Sequence, residues 1–208
     1  MSARFALLAA AALFAGGCNA ILQPNAMVAQ RTLAWKDIAS AADRARLRDW
    51  RSSFTKALAA ARRSGHGAEI AREGALLEPD AALGGAIPNG TYACRVIKIG
   101  AKSQGLLDYV AYPGFTCVVS ARGGGQRLDK TGGSQRYVGL IFPNDAIRQV
   151  FLGTLVLGDE TRAMQYGQDP ERDIAGYVER VGANRWRMIM PEPAFESQID
   201  VLELTPKA

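Results

Sequence analysis

The polar residues that could do chemistry collect in the second half of the chain: Lys130, Ser134, Gln135, Arg136, Arg148, Asp159 and Glu160. They lie at or near the Gly, Pro, Asp and Asn breaks between apolar runs. In a meandering sheet, strand ends that are distant in sequence gather at one rim, so this set is expected to ring the mouth of a pocket. A concave site lined by apolar and aromatic side chains, with a few convergent polar groups, is the usual layout for a small ligand. Asp159 and Glu160 are the neighbouring acids that general acid–base chemistry would draw on. They also follow the apolar run FLGTLVLG directly and read equally well as a strand-end turn.

Other chemistry is sparse. His66 is the only histidine and sits in RRSGHGAEI, at a helix junction. A His-pair zinc motif is therefore excluded, and a His-based catalytic constellation could centre only on His66. The triplet Lys130 to Gly132, taken with Ser53 and Lys56, is superficially similar to a penicillin-interacting signature, but the serine–aspartate–asparagine element is missing. LDKTGGSQR reads better as a turn between strands. Gly123 to Gly125 lacks the spacing and the following helix of a phosphate cradle. We expect no metal site and no cofactor.

The cysteines are more informative. Cys94 in TYACRVIKI and Cys117 in GFTCVVS both lie in strand-like text around a reversal at AKSQG. The expectation is an antiparallel hairpin carrying a disulfide, with Cys94 opposite Cys117, Val96 opposite Phe115 and Tyr92 opposite Val119. The alternative is a pair of free thiols acting as small core residues; two sulfurs without a histidine neighbour make an incomplete metal site.

Cys18 belongs to a different device. Arg4, the apolar run Phe5 to Ala15 and the small residues Ala15 to Gly17 lead directly to it, which is the pattern of an export signal. LFAGGC resembles the signal-peptidase box of bacterial lipoproteins, with Ala15 where Leu is usual. The expected division is a lipoprotein signal over 1–17 with lipid on Cys18 and a tether over 18–33. The alternative is a secretory signal over 1–20 and a soluble periplasmic protein. Asn19 stands where the inner-membrane retention signal places Asp, so the expected destination is the periplasmic face of the outer membrane.

The elements that must position these residues follow from periodicity. Residues 34–83 read as helical: Leu47, Trp50, Phe54, Leu58 and Ala61 recur every three or four positions and form one apolar stripe, with Gly65 as a stop. A second short helix is predicted over Ala68 to Leu77. Residues 31–72 hold ten basic and four acidic side chains, whereas 89–208 hold fourteen and thirteen. The overall +5 is thus local to the helical part, and general nucleic-acid binding is poorly supported. The aromatic stripe suits packing on a sheet, with contact to anionic headgroups as the alternative.

After the linker GGAIPNG the period changes to two. Strands are predicted over Thr91–Ile99, Leu107–Tyr112, Phe115–Ala121, Tyr137–Phe142, Gln149–Leu157, Ile174–Val181, Trp186–Met190 and Ser197–Leu204, with a further short one over Arg162–Tyr166. The second and third read as one strand bent at Pro113-Gly114. No helical crossover separates these runs, so the body at 89–208 is expected to be mainly β: a small antiparallel barrel or rolled meander with the N-terminal helices packed against it. An open sandwich is the alternative.

The segments LRDWRSSFTKALAAAR, GHGAEIAREGALLEPDAAL, GTYACRVIKIG, YVAYPGFTCVV, GGSQRYVGLIFPND, RQVFLGTLVLGDE and DVLELTP resemble the domain of unknown function 4893 family of bacterial envelope proteins. The resemblance runs from about Leu47 to Pro206. It implies an exported or lipid-attached protein and brings no activity or catalytic residues with it. The leading functional expectation is non-enzymatic binding of a small apolar or amphipathic ligand in a preformed cavity, or of an envelope partner. The alternatives are an envelope hydrolase using Asp159, Glu160 and rim arginines, and a protease-inhibitor-like barrel.

Overall fold

The computed structural model describes residues 34–112 and 114–207; the signal, Cys18 and the tether lie outside the described residues. The alternating runs form nine strands: β1 (Gly90–Ala101), β2 (Tyr109–Ala111), β3 (Phe115–Arg122), β4 (Gly125–Lys130), β5 (Gln135–Pro143), β6 (Arg148–Leu157), β7 (Asp173–Gly182), β8 (Arg185–Pro191) and β9 (Ser197–Pro206). All pair antiparallel in sequence order, and β9 returns to β1 from Tyr92 opposite Pro206 to Ala101 opposite Ser197. Strands β2 and β3 lie end to end along β1, so the sheet is a closed antiparallel barrel of eight staves. Closure leaves only the short strand β2, which pairs with β1 alone, with an unpaired edge.

Two sequence expectations need correction here. Strand β4 was not foreseen, because in GQRLDK only Leu128 is an apolar residue facing inward and the run carries no alternating hydrophobic signal. Conversely, 162–166 forms no strand and belongs to the loop between β6 and β7.

The hairpin register also differs. Cys94 lies opposite Phe115 and Tyr92 opposite Cys117, two residues away from the expected alignment, while Cys94 and Cys117 are disulfide-bonded with Cα atoms 5.9 Å apart. A shift of two keeps every side chain on its face, so the disulfide still forms, diagonally. Between the β1–β2 pairs, which end at Ile97 opposite Ala111, and the β1–β3 pairs, which begin at Cys94 opposite Phe115, the chain opposite β1 carries one extra residue.

The barrel interior is packed by alternate residues, among them Tyr92, Val96, Leu128, Ile141, Leu155, Trp186, Met188 and Leu202. Its middle depends on two glycines. Gly139 lies opposite Gly153, and a Cβ on either would come within 2.4 Å of backbone. The Phe151 ring occupies the space they leave, with its Cζ only 2.7 and 2.5 Å from those hypothetical Cβ positions. One end of the barrel is plugged by the linker: Ile87 is buried, its amide donates to Gln149 Oε1 at 2.8 Å, and its carbonyl accepts from Gln126 Nε2 at 2.7 Å.

The helices cover one side of the barrel, not an end. Ser40 caps α2 (Ala41–Ala61) by accepting from the Asp43 amide at 3.0 Å, after the single turn α1 (Trp35–Ile38). The predicted stripe, Leu47, Trp50, Phe54, Leu58 and Ala61, is buried; its last four members, with Ala57, meet the outward residues Ile97, Ile99, Ile189, Ile199 and Val201. Trp35, Ala39 and Leu47 meet Val150, Leu152 and Ala175. Each large side chain so buried stabilises by about 1.5–3 kcal/mol relative to exposure. The chain kinks at Gly65 and continues as α3 (Gly67–Glu73) and a tight turn to Leu77. That turn is held by Arg187, which is fully buried and donates to the carbonyls of Ala75, Leu76, Glu78 and Pro79 while pairing with Glu179 at 2.7 Å.

Candidate functional site

The barrel end opposite the Ile87 plug is where the inward face turns polar. On β1 the inward series Tyr92, Cys94, Val96 continues with Lys98; on β4, Leu128 is followed by Lys130; on β9, Leu204 and Leu202 are preceded by Asp200. All three charged residues are buried. Period-two geometry makes this inevitable, because a charge at an even step of an inward strand must face the lumen. Lys98 and Lys130, with Tyr112, Phe115, Gly133, Ser134, Gln135, Tyr137 and Glu196, surround a pocket of about 90 Å³ open to one side; Asp200 lines a smaller adjoining space that shares Lys98, Gln135 and Tyr137 with it.

Its charges are organised around Asp200. The Lys98 ammonium lies 2.9 Å from Asp200 Oδ2 and 3.3 Å from Glu196 Oε2. The Tyr137 hydroxyl donates to the same Asp200 oxygen at 3.0 Å, and Ser197 Oγ donates to the other. Burial by itself would pull the Lys98 pKa down; Asp200 and Glu196 outweigh it and hold the ammonium above its ordinary value. Burial, reinforced by Asp200, pushes the Tyr137 phenol well up, so it serves as a donor. Glu196 reaches the pocket from a left-handed backbone position, φ 68, a strained conformation for a residue with a side chain.

Lys130 is different. Its ammonium donates to the carbonyls of Gly132 and Gln135, the latter at 2.8 Å, and stands 3.6 Å from the centre of the Phe115 ring. Among the described residues no carboxylate pairs with it. Burial, with repulsion from Arg136 and Lys98, pulls its pKa down to about 8. Gly133 is required beside it: at φ +85, a Cβ there would come within 2.8 Å of Phe115 and 3.0 Å of the Lys130 nitrogen.

Of the seven residues singled out from the sequence, the structure brings Lys130, Ser134 and Gln135 together at this pocket. Arg136 points outward and ties down turns through the carbonyls of Gly158 at 2.7 Å and Glu160 at 2.6 Å. Glu160 is held by Arg172 at 2.6 Å, which draws its carboxyl below the ordinary range, and Asp159 is exposed in the same turn. Arg148 lies at the opposite end and outside, paired with Glu179 and 4.8 Å from the Trp50 ring. The reason is the β5–β6 hairpin: Gln135 pairs with Leu157 at one end while Pro143 pairs with Gln149 at the other, so Arg148 cannot reach the Gln135 rim.

Lys98, Asp200, Tyr137, Ser197 and Glu196 escaped sequence reasoning. The usable signal was a lysine and an aspartate in step with apolar inward residues, in CRVIKIG and QIDVLEL. His66 stacks on Tyr109, ring centres 5.6 Å apart, and lies 3.5 Å from Glu69, which accounts for it structurally. Among the described residues no group of three or more His, Cys, Asp or Glu side chains could hold a metal ion.

No helix among the described residues is long and apolar enough to cross a membrane. Comparison with curated proteins and with solved structures finds no match. The family model described as Domain of unknown function (DUF4893) matches residues 35–204, from the first helical turn through the inward-facing Leu204 of β9, and the chain belongs to that family.

Proposed function

We propose that this protein is a non-enzymatic binding module of the bacterial envelope that takes a short amphipathic carboxylate in the Lys130 pocket. The observation that carries the reading is Lys130 itself: a buried ammonium that makes no ion pair among the described residues, Glu196 across the pocket being engaged by Lys98, and that stands beside the apolar surfaces of Phe115, Val96 and Tyr112. A ligand carboxylate would supply the missing anion, and the tail would lie on the aromatic side. The middle of the barrel is filled by Phe151 over its glycine pair, so the ligand is short and sits at the mouth, replacing the deep apolar cavity expected from the sequence.

Butyrate is the probe. It is expected to bind the wild-type chain, to bind at least tenfold more weakly to Lys130→Met, and to lose affinity as pH rises above about 8, where Lys130 loses its proton. Butylamine binding as well as butyrate, or an unchanged affinity in Lys130→Met, would sink the reading. Export and lipid attachment at Cys18 belong to the same proposal and are tested by the intact mass of the mature N-terminus; an unmodified chain beginning at Ile21 rejects the lipid anchor.

A second reading, a protease-inhibitor-like barrel, is favoured by one feature. The β1–β2 connection carries Leu106 and Leu107 exposed at 41 and 67 %. Two adjacent exposed leucines on a hairpin tip are what an inserting loop would present. Inhibition of subtilisin that disappears in Leu106→Ser with Leu107→Ser would support it, and no inhibition by the wild-type chain would remove it.

A further inference from the structure

The helices cover the outer faces of β1 and β6 to β9 and reach Phe142 at the end of β5, and leave the rest of the outer face of β4 and β5 to the loop between β6 and β7. Between that loop and the wall runs a trough of about 620 Å³. Its floor is apolar: Val138, Leu140 and Phe142, alternate outward residues of β5, with Leu152 of β6 beside them. Its far wall is the loop segment Arg162 to Tyr166, where Met164 is 44 % exposed; Leu140 on the floor is 37 % exposed.

Charge is one-sided here. Arg122, Arg127 and Arg162 line this stretch and no acidic side chain does. Arg122 and Arg162 are exposed. The trough continues along β5 past Val138 and Ala163 toward Arg136, where the two acids at its edge are already engaged, Asp129 by Arg127 at 2.7 Å and Glu160 by Arg172 at 2.6 Å. From Arg136 to Phe142 a strand advances about 20 Å at roughly 3.3 Å per residue. That is the length of about six residues of extended peptide.

The far wall is anchored. The Tyr166 hydroxyl accepts from the Ser40 amide at 3.0 Å and donates to Asp43, and the Gly167 amide donates to Asp173 Oδ1 at 2.9 Å. The trough is therefore a preformed feature, held to helix α2 and β7.

We propose that this trough docks an extended segment of a partner protein that carries apolar side chains for the β5 floor and acidic side chains for Arg122 and Arg162. Length selects an extended segment, the floor selects apolar side chains, and the arginines select carboxylates. The stretch between Arg122 and Tyr166 shares no lining residue with the Lys130 pocket, which opens from the lumen on the other face of the sheet.

The test is fluorescence anisotropy on the full chain, using a short fluorescein-labelled peptide in which glutamates alternate with leucines and a control with lysines in place of the glutamates. The glutamate peptide is expected to bind saturably and the lysine peptide not to bind. Arg122→Glu with Arg162→Glu is expected to weaken binding at least tenfold without changing the melting temperature, because both side chains are exposed. Leu140→Ser should weaken it by a similar factor. Equal binding of both peptides, binding of neither, or unchanged affinity in both variants overturns the proposal. Binding of the chain through the same arginines to phosphatidylglycerol vesicles without peptide binding overturns it in favour of a membrane surface. Dimerisation abolished by Leu140→Ser, again without peptide binding, overturns it in favour of a second copy.

Discussion

Lys98 on β1 and Asp200 on β9 meet across the seam that closes the barrel, nitrogen to oxygen 2.9 Å, with neither side chain more than a few per cent exposed. They are direct cross-strand partners in register, so the ion pair joins the first and last staves of the sheet at the pocket end. A buried charge left alone is expensive, while a buried pair replaced as a unit is often neutral.

Lys98→Met alone and Asp200→Asn alone should therefore each destabilise the fold by about 3–5 kcal/mol, because each leaves a partner unpaired. The double variant Lys98→Met with Asp200→Asn should recover most of that loss, because the amide oxygen can still accept from Tyr137 and Ser197. Urea unfolding of all four proteins checks the cycle; strictly additive losses would show that the two groups do not depend on one another.

Lys130 should impose a pH dependence of its own. Its folded pKa, about 8, lies below the ordinary 10.5, so between these values the unfolded chain holds the proton that the folded chain has released. The Lys130 contribution to stability must then rise as pH increases from about 8 to 10.5, and be smallest below 8. Urea midpoints across this range should climb in the wild type relative to Lys130→Met. A difference independent of pH would contradict a depressed Lys130.

Reduction of the Cys94–Cys117 disulfide should cost about 3 kcal/mol, the loop-closure entropy for a bridge of this span. Cys94→Ala with Cys117→Ala should show the same loss in the absence of reductant. Non-reducing peptide mapping of protein from an oxidising compartment should recover the linked pair; two free thiols would refute the bridge.

Trp50→Ala should lower stability by about 3–5 kcal/mol with no membrane present, since Trp50 packs on Phe54, Tyr177 and the Arg148 guanidinium against the barrel wall. Liposome binding of the Cys18→Ser chain should be unaffected. Unchanged melting together with lost liposome binding would place this residue at a membrane.

Arg187→Met should cost at least about 3 kcal/mol, because Glu179 keeps only Arg148 while the carbonyls that close the α3 turn lose their donor. Arg187→Lys should recover little of it, as an ammonium cannot reproduce the planar fork that spans Glu179 and that row of carbonyls. Thermal melts of the three proteins decide it.

What could be read along the chain by itself was whatever repeats locally. The stripe from Leu47 to Ala61 has the helical period, most strands have period two, and the turn residues between them exclude helical crossovers, so a helix on an antiparallel meander followed from residues alone. The pairing of Cys94 with Cys117 was legible for the same reason, since both lie on the inward parity of neighbouring strands. Strand β4 was not, because a strand whose inward positions are Gln126, Leu128 and Lys130 carries almost no hydrophobic contrast.

Register and closure belong to the tertiary structure. One extra residue between the β1–β2 and β1–β3 pairs sets Cys94 opposite Phe115, and nothing local to either strand dictates where that residue sits. The pocket is more non-local still: Lys98, Lys130, Tyr137 and Asp200 come from four strands and meet only because β9 pairs with β1. A single strand determines which face a side chain takes. Which side chains from other strands share its end of the barrel is decided by stagger and closure of the whole sheet, and that is why Arg148, equally polar and equally near a turn, stands outside at the far end.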